Sequence, residues 1–263
     1  DVTVDVGDLT RPTVAERAAL TAAIRRANLA VYRCGSGVVD REAVRGFGRA
    51  LGLDRVDEHL CAVEDGISEL RVSNEGPKSD FIPYTNRPLS WHCDGYYNES
   101  ERTIRAMLLH CVRDAAEGGE NALVDHELLY IALRDNAPEY VEALMHAEAM
   151  TIPANVHEGQ VVRPERTGPV FSVDPGTGAL HMRYTARTRN VSWRDDPLTR
   201  EAVDAITRIL EAEEVPVFRC RLAPGEGLLC NNVLHNRTAF RDDPASGRQR
   251  LIFRARFLDR VAD

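Results

Sequence analysis

The amino-acid sequence predicts an α+β fold, with an antiparallel double sheet of the jelly-roll type at the core and helices at its periphery. Many short segments have the apolar or alternating pattern of strands, and the last third of the chain is predicted to be mostly β. Only a few segments carry apolar residues at helical spacing. Short strands with few helices are typical of a double sheet. The 263 residues contain no internal repeat, linker or low-complexity stretch, so we expect one domain over 1–263.

The helices are predicted from apolar periodicity and from the residues that begin them. Thr13 and Asp40 are suitable N-caps, and Pro197 suits the first turn of an amphipathic helix. The predicted helices cover residues 14–28, 41–51, 125–146 with a second start at 138, and 197–213.

The strands are predicted from short apolar or alternating runs between turn residues. They cover 29–33, 68–73, 104–112, 122–124, 150–152, 170–173, 180–184, 215–221, 227–231 and 249–258. Two longer segments, 74–90 and 153–168, are polar or rich in Gly, Pro, Asn and Ser, and we expect both to be loops. A loop as long as the first is usually functional in a compact domain, often as a lid.

Composition excludes several classes of function. The net charge of −8 argues against a general nucleic-acid binder, because the phosphate backbone attracts basic surfaces. No apolar run approaches the roughly 20 residues that span a bilayer, so we expect no membrane segment. The six cysteines are scattered without a Cys-x-x-Cys pair, which indicates reduced thiols in a cytosolic protein. We therefore expect a small-molecule partner.

The segment Trp91-His92-Cys93-Asp94-Gly95 contains a candidate metal site. Side chains two residues apart on an extended segment point to the same face, so His92 and Asp94 are expected to project together. Two histidines and one carboxylate form the facial triad that holds non-haem Fe(II). His235, which follows a predicted strand and two asparagines, is the candidate third ligand.

The last strand presents a row of arginines. Between 250 and 257 the arginines alternate with apolar residues, which places Arg250, Arg254 and Arg256 on one face. One interpretation is an edge strand with its arginines in water, since this alternation is typical of a half-solvated antiparallel strand. The other is that one or two arginines face a cavity and bind carboxylates in a bidentate manner.

These motifs resemble the Fe(II)/2-oxoglutarate-dependent dioxygenases of the taurine dioxygenase (TauD/TfdA) family. That family carries Trp-His-x-Asp-Gly, a Gly-Gly-acid turn, Asn-x-x-Leu-His and a terminal Arg-x-x-x-Arg. The matching segments here are 91–95, 118–120, 231–235 and 250–254, in the same order. The resemblance extends from about residue 29 to the C-terminus. It implies a double-stranded β-helix, or jelly-roll, core.

The resemblance also implies roles for individual residues. His92, Asp94 and His235 match the iron ligands of the family, and Arg250 matches the arginine that binds the distal carboxylate of 2-oxoglutarate. Asn121 stands after Gly-Gly-Glu, where relatives often carry a Thr that contacts the same carboxylate, and its amide can still donate a hydrogen bond.

The implied reaction consumes 2-oxoglutarate and O₂ at Fe(II) and releases succinate and CO₂ while a substrate is hydroxylated or desaturated. Related halogenases carry a small residue in place of the ligand carboxylate, so Asp94 predicts hydroxylation or desaturation and not halogenation. Relatives are often dimers or tetramers, which makes a homo-oligomer possible here.

The substrate is expected to be small and anionic or zwitterionic. Arg254 matches a residue that holds an anionic substrate group in some relatives, and Arg256, Arg183 and Arg187 are further candidates for a cationic pocket. Arginine is the default cation of this chain, so the same side chains also fit a solvated face. Three more residues are candidates for the pocket wall: Tyr84, Asn86 and Tyr96.

Two other functions use parts of the same pattern. A hydrolase can hold Zn²⁺ with two histidines and a carboxylate and activate a bound water, although such an enzyme would not require Arg250. A non-catalytic binding protein can retain the double sheet after losing its iron, but the intact set of His92, Asp94 and His235 argues against this.

Overall fold

The computed structural model describes residues 2–35, 39–57, 66–73, 81–157 and 159–261. Five α-helices occur in this part of the chain: α1 Val14–Ala27, α2 Arg41–Ala50, α3 His126–Asn136, α4 Pro138–Met145 and α5 Pro197–Glu211. All five lie within the predicted helical segments. Thr13 begins α1 with a complete capping box, since its hydroxyl accepts from the Glu16 amide while the Glu16 carboxylate accepts from the Thr13 amide.

The strands are short, as the sequence predicts. In chain order they are β1 Thr3–Val6, β2 Leu29–Cys34, β3 Ile67–Leu70, β4 Leu89–His92, β5 Ala106–Arg113, β6 Glu117–Gly118, β7 Asn121–Val124, β8 Met150–Ile152, β9 Asn155–His157, β10 Gln160–Arg163, β11 Arg166–Gly168, β12 Phe171–Val173, β13 Leu180–Met182, β14 Ser192–Trp193, β15 Phe218–Cys220, β16 Glu226–Cys230, β17 Leu234–Arg237, β18 Phe240–Arg241 and β19 Leu251–Phe257.

Two sheets dominate the architecture. The larger has the strand order β1-β2-β16-β5-β19-β3, and the smaller has the order β15-β7-β17-β4. Leu109, Leu228 and Ile252 from the larger sheet pack in one apolar cluster with Leu123 from the smaller sheet, so the two sheets face each other. The predicted jelly-roll core with peripheral helices is confirmed.

The helices cover the outer faces of the two sheets. Ile24 of α1 and Phe47 of α2 pack with Leu229 and Phe253, which lie on the face of the larger sheet turned away from the smaller one. The helices α3, α4 and α5 pack in a separate cluster with Val124 and Leu234 of the smaller sheet, among other residues. This alternation of buried faces along each strand fixes which side chains point between the sheets.

Several elements differ from the predictions. Residues 153–168 were expected to form a loop, but they contain β9, β10 and β11, which are stabilised by pairing with each other and with β8. The predicted loop 74–90 ends in β4, and its residues 74–80 lie outside the described residues. His235 was placed just past a strand, whereas it lies within β17. Strand β1 pairs with β2 and was not predicted.

None of the helices within the described ranges is long and apolar enough to cross a membrane. Among the described residues, Cys93, Cys111, Cys220 and Cys230 are free thiols, as expected, and Cys61 lies outside these residues.

Candidate active site

Three predicted ligands meet at the end of β4. His92 and His235 are directly opposite each other in the antiparallel pair of β4 and β17, and their ring centroids are 4.3 Å apart. Asp94 follows β4, and its carboxylate lies 3.6 Å from Nε2 of His92. Among the described residues these are the one group of three His, Cys, Asp or Glu side chains whose ligand atoms all lie within 4.8 Å of one another. All three are buried.

Backbone carbonyls orient both imidazoles. Nδ1 of His92 lies 2.9 Å from the carbonyl oxygen of Ser90, and Nδ1 of His235 lies 2.9 Å from that of Val233. A carbonyl only accepts, so each Nδ1 carries the proton and each Nε2 presents a lone pair toward the site. Burial and the neighbouring His92 lower the pKa of His235 to about 4, which keeps it neutral and able to bind a metal near pH 7.

The carboxylate of Asp94 is held ionised. Burial alone would raise the pKa of this group, but the positive charges of Arg254 and Arg256 outweigh burial and hold the pKa well below its usual range. Arg254 Nη1 lies 3.3 Å from Oδ2 of Asp94. That Oδ2 atom is buried and forms no hydrogen bond with a described residue, so it can accept a metal ion.

Asn232 fixes the backbone around Asp94, a role that the sequence did not reveal. Its side-chain oxygen accepts from the Asp94 amide at 2.8 Å, and its side-chain nitrogen donates to the carbonyls of Asp94 at 2.9 Å and Ile104 at 2.7 Å. A Cβ at Gly95 would lie 2.4 Å from the side chain of Ile104, so the motif needs glycine there. The only sequence signal was an Asn pair before the predicted ligand His235.

The residues present fit a divalent iron. Two neutral imidazole nitrogens and one carboxylate are the donor set of the 2-His-1-carboxylate triad, and the unpaired Oδ2 of Asp94 supplies a buried negative charge. Each ring is oriented by a carbonyl on its other nitrogen, as is usual for metal-binding histidines.

A polar pocket surrounds Arg250. Its lining residues are Asp114, Ala115, Gly118, Gly119, Asn121, Arg221, Leu222, Arg250 and Ile252. Arg250 is 5% exposed, and its Nη1 is buried without a hydrogen-bond partner among the described residues. Burial lowers the pKa of Arg250 to about 10, which still leaves it cationic near neutral pH. A buried guanidinium with an unused donor is suited to binding a carboxylate.

Asn121 and Gly119 shape this pocket. The Asn121 side chain donates to the Cys220 carbonyl at 3.5 Å, a weak bond that leaves its amide able to serve a ligand. A Cβ at Gly119 would lie 3.7 Å from Nε of Arg250, and the residue has φ of +77°. The Gly-Gly turn thus lets the backbone pass close to the arginine.

The arginine row on β19 is buried, and the edge-strand interpretation is wrong. Strand β19 lies between β5 and β3, and Arg250, Arg254 and Arg256 are 5%, 6% and 1% exposed. Arg256 donates to the hydroxyl of Tyr97 at 2.8 Å and forms an ion pair with Asp57. The alternating pattern marks a strand whose polar face turns toward the site.

The predicted substrate residues are only partly brought together. Tyr96 packs edge-on against His92, with 6.5 Å between ring centroids. Tyr84 lies in the apolar cluster between the sheets with 2% exposure, and Asn86 is exposed, so the structure does not support either as a pocket wall. Arg183 donates to four backbone carbonyls, of Tyr96, Met150, Gly168 and Arg166, and is therefore structural. Arg187 is half-buried.

Comparison with protein families gives one match across the chain. The family described as taurine catabolism dioxygenase TauD, TfdA family matches residues 2–256. Two curated relatives are both named uridine-5'-phosphate dioxygenase. The protein from Amycolatopsis sp. is 32% identical over 169 residues, and the protein from Streptomyces sp. is 30% identical over 193 residues. The matched segments cover 60% and 70% of this chain, and the chain spans 57% and 66% of those relatives.

Solved structures share the fold. An asparagine oxygenase in complex with Fe(II), 3-hydroxyasparagine and succinate has a TM-score of 0.67 at 16% identity, covering 100% of this chain and 94% of that chain. The non-heme iron oxygenase OrfP in complex with Fe and α-ketoglutaric acid has a TM-score of 0.64 at 15% identity, covering 99% and 94%.

Proposed function

The chain belongs to the TauD, TfdA family of dioxygenases, and we propose that His92, Asp94 and His235 hold its iron while it hydroxylates a small anionic substrate. Fe(II) is its metal, and 2-oxoglutarate and O₂ are its co-substrates. In the balanced reaction, one oxygen atom of O₂ enters the substrate as a hydroxyl group. The other enters succinate as 2-oxoglutarate loses CO₂. Both hydroxylation and desaturation begin with the removal of a hydrogen atom from the substrate, and desaturation is the alternative outcome.

The cluster of His92, Asp94 and His235 is the observation that carries this proposal. Bound Fe(II) supplies the redox chemistry with O₂ and 2-oxoglutarate. With two neutral imidazoles and one carboxylate, the site offsets only one of the two positive charges of Fe(II) and so favours binding of a dianion. Asp94 fills the carboxylate position, which supports hydroxylation or desaturation and not halogenation.

Arg250 is proposed to hold the distal carboxylate of 2-oxoglutarate. Its unused Nη1 and its neighbour Nη2 can form a bidentate pair with a carboxylate, and Asn121 can add a hydrogen bond from the same pocket. Ile252, which lies in β19 two residues after Arg250, adds an apolar side chain to the pocket lining. The carboxylate therefore binds where electrostatic attraction is strong.

The relatives' names sharpen the substrate class. They specify uridine 5'-phosphate, whose phosphate is the kind of anion that arginines near the site can hold. We propose a nucleoside 5'-monophosphate as the first substrate class to test. Arg254 and Tyr96 remain in the proposal as residues beside the iron, because Arg254 contacts Asp94 and Tyr96 packs on His92.

The two alternatives are less well supported. A zinc hydrolase would not require the buried Arg250 or the pocket around it, and the family consists of dioxygenases. A non-catalytic binding protein would not need His92, Asp94 and His235 to retain oriented, unprotonated ligand atoms.

A visible charge-transfer band tests the iron and co-substrate sites together. Metal-free protein without oxygen is titrated with Fe(II) and then with 2-oxoglutarate. We expect a band in the parent, a weaker band at equal 2-oxoglutarate in Arg250→Ala, and no band in His235→Ala. Uridine 5'-monophosphate is then screened by succinate release.

The outcomes separate the parts of the proposal. Fe(II) binding without a band would contradict the co-substrate assignment and leave the metal site standing. A full band in His235→Ala would contradict the ligand assignment. Succinate release that is unchanged by uridine 5'-monophosphate, with the band intact, would reject that substrate alone.

A further inference from the structure

An extended segment runs along β4 on the side opposite β17. The Cys93 amide donates to the Tyr184 carbonyl at 3.0 Å, and the Ala186 amide donates to the Trp91 carbonyl at 2.8 Å. Between these bonds, Thr185 forms an antiparallel bridge with His92. The segment therefore brings Thr185 directly beside a proposed iron ligand.

Thr185 has a weakly bound hydroxyl in this position. The residue is 1% exposed, and its Oγ1 forms no hydrogen bond of ordinary geometry with any described residue, although it lies close enough to the Tyr96 phenol to lower the pKa of that phenol. A buried hydroxyl normally has a well-placed partner, because leaving it unpaired costs about 1–3 kcal/mol. A ligand bound beside Tyr96 would therefore complete the hydrogen bonding of Thr185.

Arg187 follows on the same face. It lies two residues after Thr185 on the extended segment, so its side chain leaves the backbone on the same side. Within the described ranges no carboxylate forms an ion pair with it. Arg187 is half-buried, and its charge opposes the rise that burial gives to the pKa of the Tyr96 phenol.

Arg163 approaches the same tyrosines from the β9–β10 hairpin. Its guanidinium carbon lies 5.6 Å from the ring centroid of Tyr97, and Tyr97 packs edge-on against Tyr96 at 5.1 Å. Its hydrogen bonds go only to the carbonyls of Pro153 and Pro164, and no acidic side chain in the described part of the chain pairs with it. Burial lowers its pKa.

Arg254 differs from these two arginines, because Nη1 of Arg254 is bound to the carboxylate of Asp94 at 3.3 Å. Moving this guanidinium to a substrate anion would break its ion pair with Asp94. Neither Arg163 nor Arg187 forms an ion pair with a described carboxylate. Both are only half-buried, so they can reach a ligand that enters from solvent.

We propose that Arg163, Thr185 and Arg187 form an anion subsite that takes a phosphate-class group of the substrate, while Arg254 positions Asp94. This inference rests on the proposed function and identifies where its substrate is held. Donors from two elements, the extended segment and the β9–β10 hairpin, suit the three terminal oxygens of a phosphate monoester. A carboxylate has two oxygens in one plane and is better matched by a single guanidinium fork.

Inorganic phosphate is the probe. The Fe(II)–2-oxoglutarate complex is prepared without oxygen and titrated with phosphate in a calorimeter, with 2-oxoglutarate saturating so that the Arg250 pocket is blocked. We expect phosphate to bind the parent, and Arg187→Gln and Arg163→Gln each to weaken it about tenfold, the effect of losing one charge-assisted hydrogen bond. Acetate is expected to bind more weakly than phosphate.

Arg189→Gln is the matched control, since Arg189 is an exposed neighbour on the same segment, and it should leave phosphate affinity unchanged. The visible band of the chelated complex is recorded for each variant. A band with no phosphate binding in the parent, or with equal affinity in Arg187→Gln and the control, overturns the subsite and leaves the proposed function standing. If the parent shows no band, the result contradicts the proposed function itself.

Discussion

The two sides of the active site are built differently. The anchored side consists of His92, His235 and Arg250, together with Asp94, and it rests on or beside strands of the two facing sheets. The open side, formed by Arg163, Thr185 and Arg187, comes from a hairpin and an extended segment outside those sheets. On the anchored side each imidazole is oriented by a carbonyl, whereas on the open side both guanidinium groups lack a carboxylate partner among the described residues.

This difference separates the constant part of the chemistry from the variable part. Binding iron and 2-oxoglutarate requires fixed geometry, which strands held on both edges supply. Substrate choice requires groups that can differ between relatives without disturbing the core, and loops and short hairpins tolerate such change. The comparison predicts that damage to the anchored side abolishes the reaction, and that damage to the open side alters only which substrate is used.

The largest effect is expected from removing a ligand on the anchored side. His235→Ala should lose iron binding and all 2-oxoglutarate turnover, because two protein donors cannot hold Fe(II) in the facial geometry. Iron content after dialysis and succinate release measure this. His146→Ala changes a histidine outside the site and serves as the control. Iron content equal to that of the parent would refute the ligand assignment.

The next effect concerns a buried ion pair beside Tyr97. Asp57 is 1% exposed and pairs with Arg256, which also donates to the Tyr97 hydroxyl beneath Arg163. Asp57→Asn leaves the Arg256 charge buried without its counter-charge and should destabilise the protein by about 3–5 kcal/mol. Urea unfolding measures the change.

The control for Asp57→Asn is an exposed ion pair. Asp195 pairs with Arg200 at the surface, where the two side chains are 92% and 60% exposed. Asp195→Asn should change stability by no more than about 1 kcal/mol, because solvent screens such pairs. Equal losses in the two variants would show that the buried pair of Asp57 and Arg256 contributes no more to stability than a surface pair.

A third prediction concerns co-substrate binding alone. Arg250→Ala should raise the KM for 2-oxoglutarate about 100-fold, because a desolvated charge pair is lost. Arg250→Lys should recover part of that loss, since lysine keeps the charge but cannot form the bidentate pair. Steady-state kinetics at saturating substrate separate KM from kcat. A changed substrate KM with an unchanged 2-oxoglutarate KM would place Arg250 on the open side.

The anchored side could largely be predicted from the sequence. The spacing of His92 and Asp94 and the alternation around Arg250 follow directly from strand geometry, and the structure brings all three predicted ligands together. The edge-strand interpretation failed because alternation alone does not distinguish water from a polar cavity. Only the sheet order, which places β19 between two strands, decides this.

Most of the open side could not be predicted from the sequence, because its strands form only through pairing; of its three residues, Arg187 was a candidate for a cationic pocket. Residues 153–168 are polar and become strands only when β9 meets β10 and β11 meets β8. Thr185 carries no local signal, and its position depends on backbone bonds to residues 91 and 93. Tyr84 and Asn86 were chosen because they precede the ligand segment in sequence, but the structure assigns them to the core and the surface.

The smallest effect concerns the pH dependence of the sheet that supports the anchored side. His110 lies in the apolar strand β5, where it is 1% exposed and its Nδ1 lies 3.0 Å from the Tyr32 hydroxyl. Burial lowers its pKa to about 4, whereas an unfolded histidine titrates near 6.5. Between these values the unfolded state binds a proton that the folded state does not.

Stability should therefore fall as the pH drops from about 6.5 to 4, with His110 contributing about 1.4 kcal/mol per pH unit. His110→Gln should remove that part of the slope, even if it lowers stability at every pH, because glutamine does not titrate. Urea unfolding of metal-free protein at several pH values measures both slopes. His181, whose pKa burial lowers to about 3, remains in both proteins and cancels in the difference. Identical slopes would mean that His110 takes up its proton at the same pH in the folded and the unfolded protein, which would contradict its burial in the sheet.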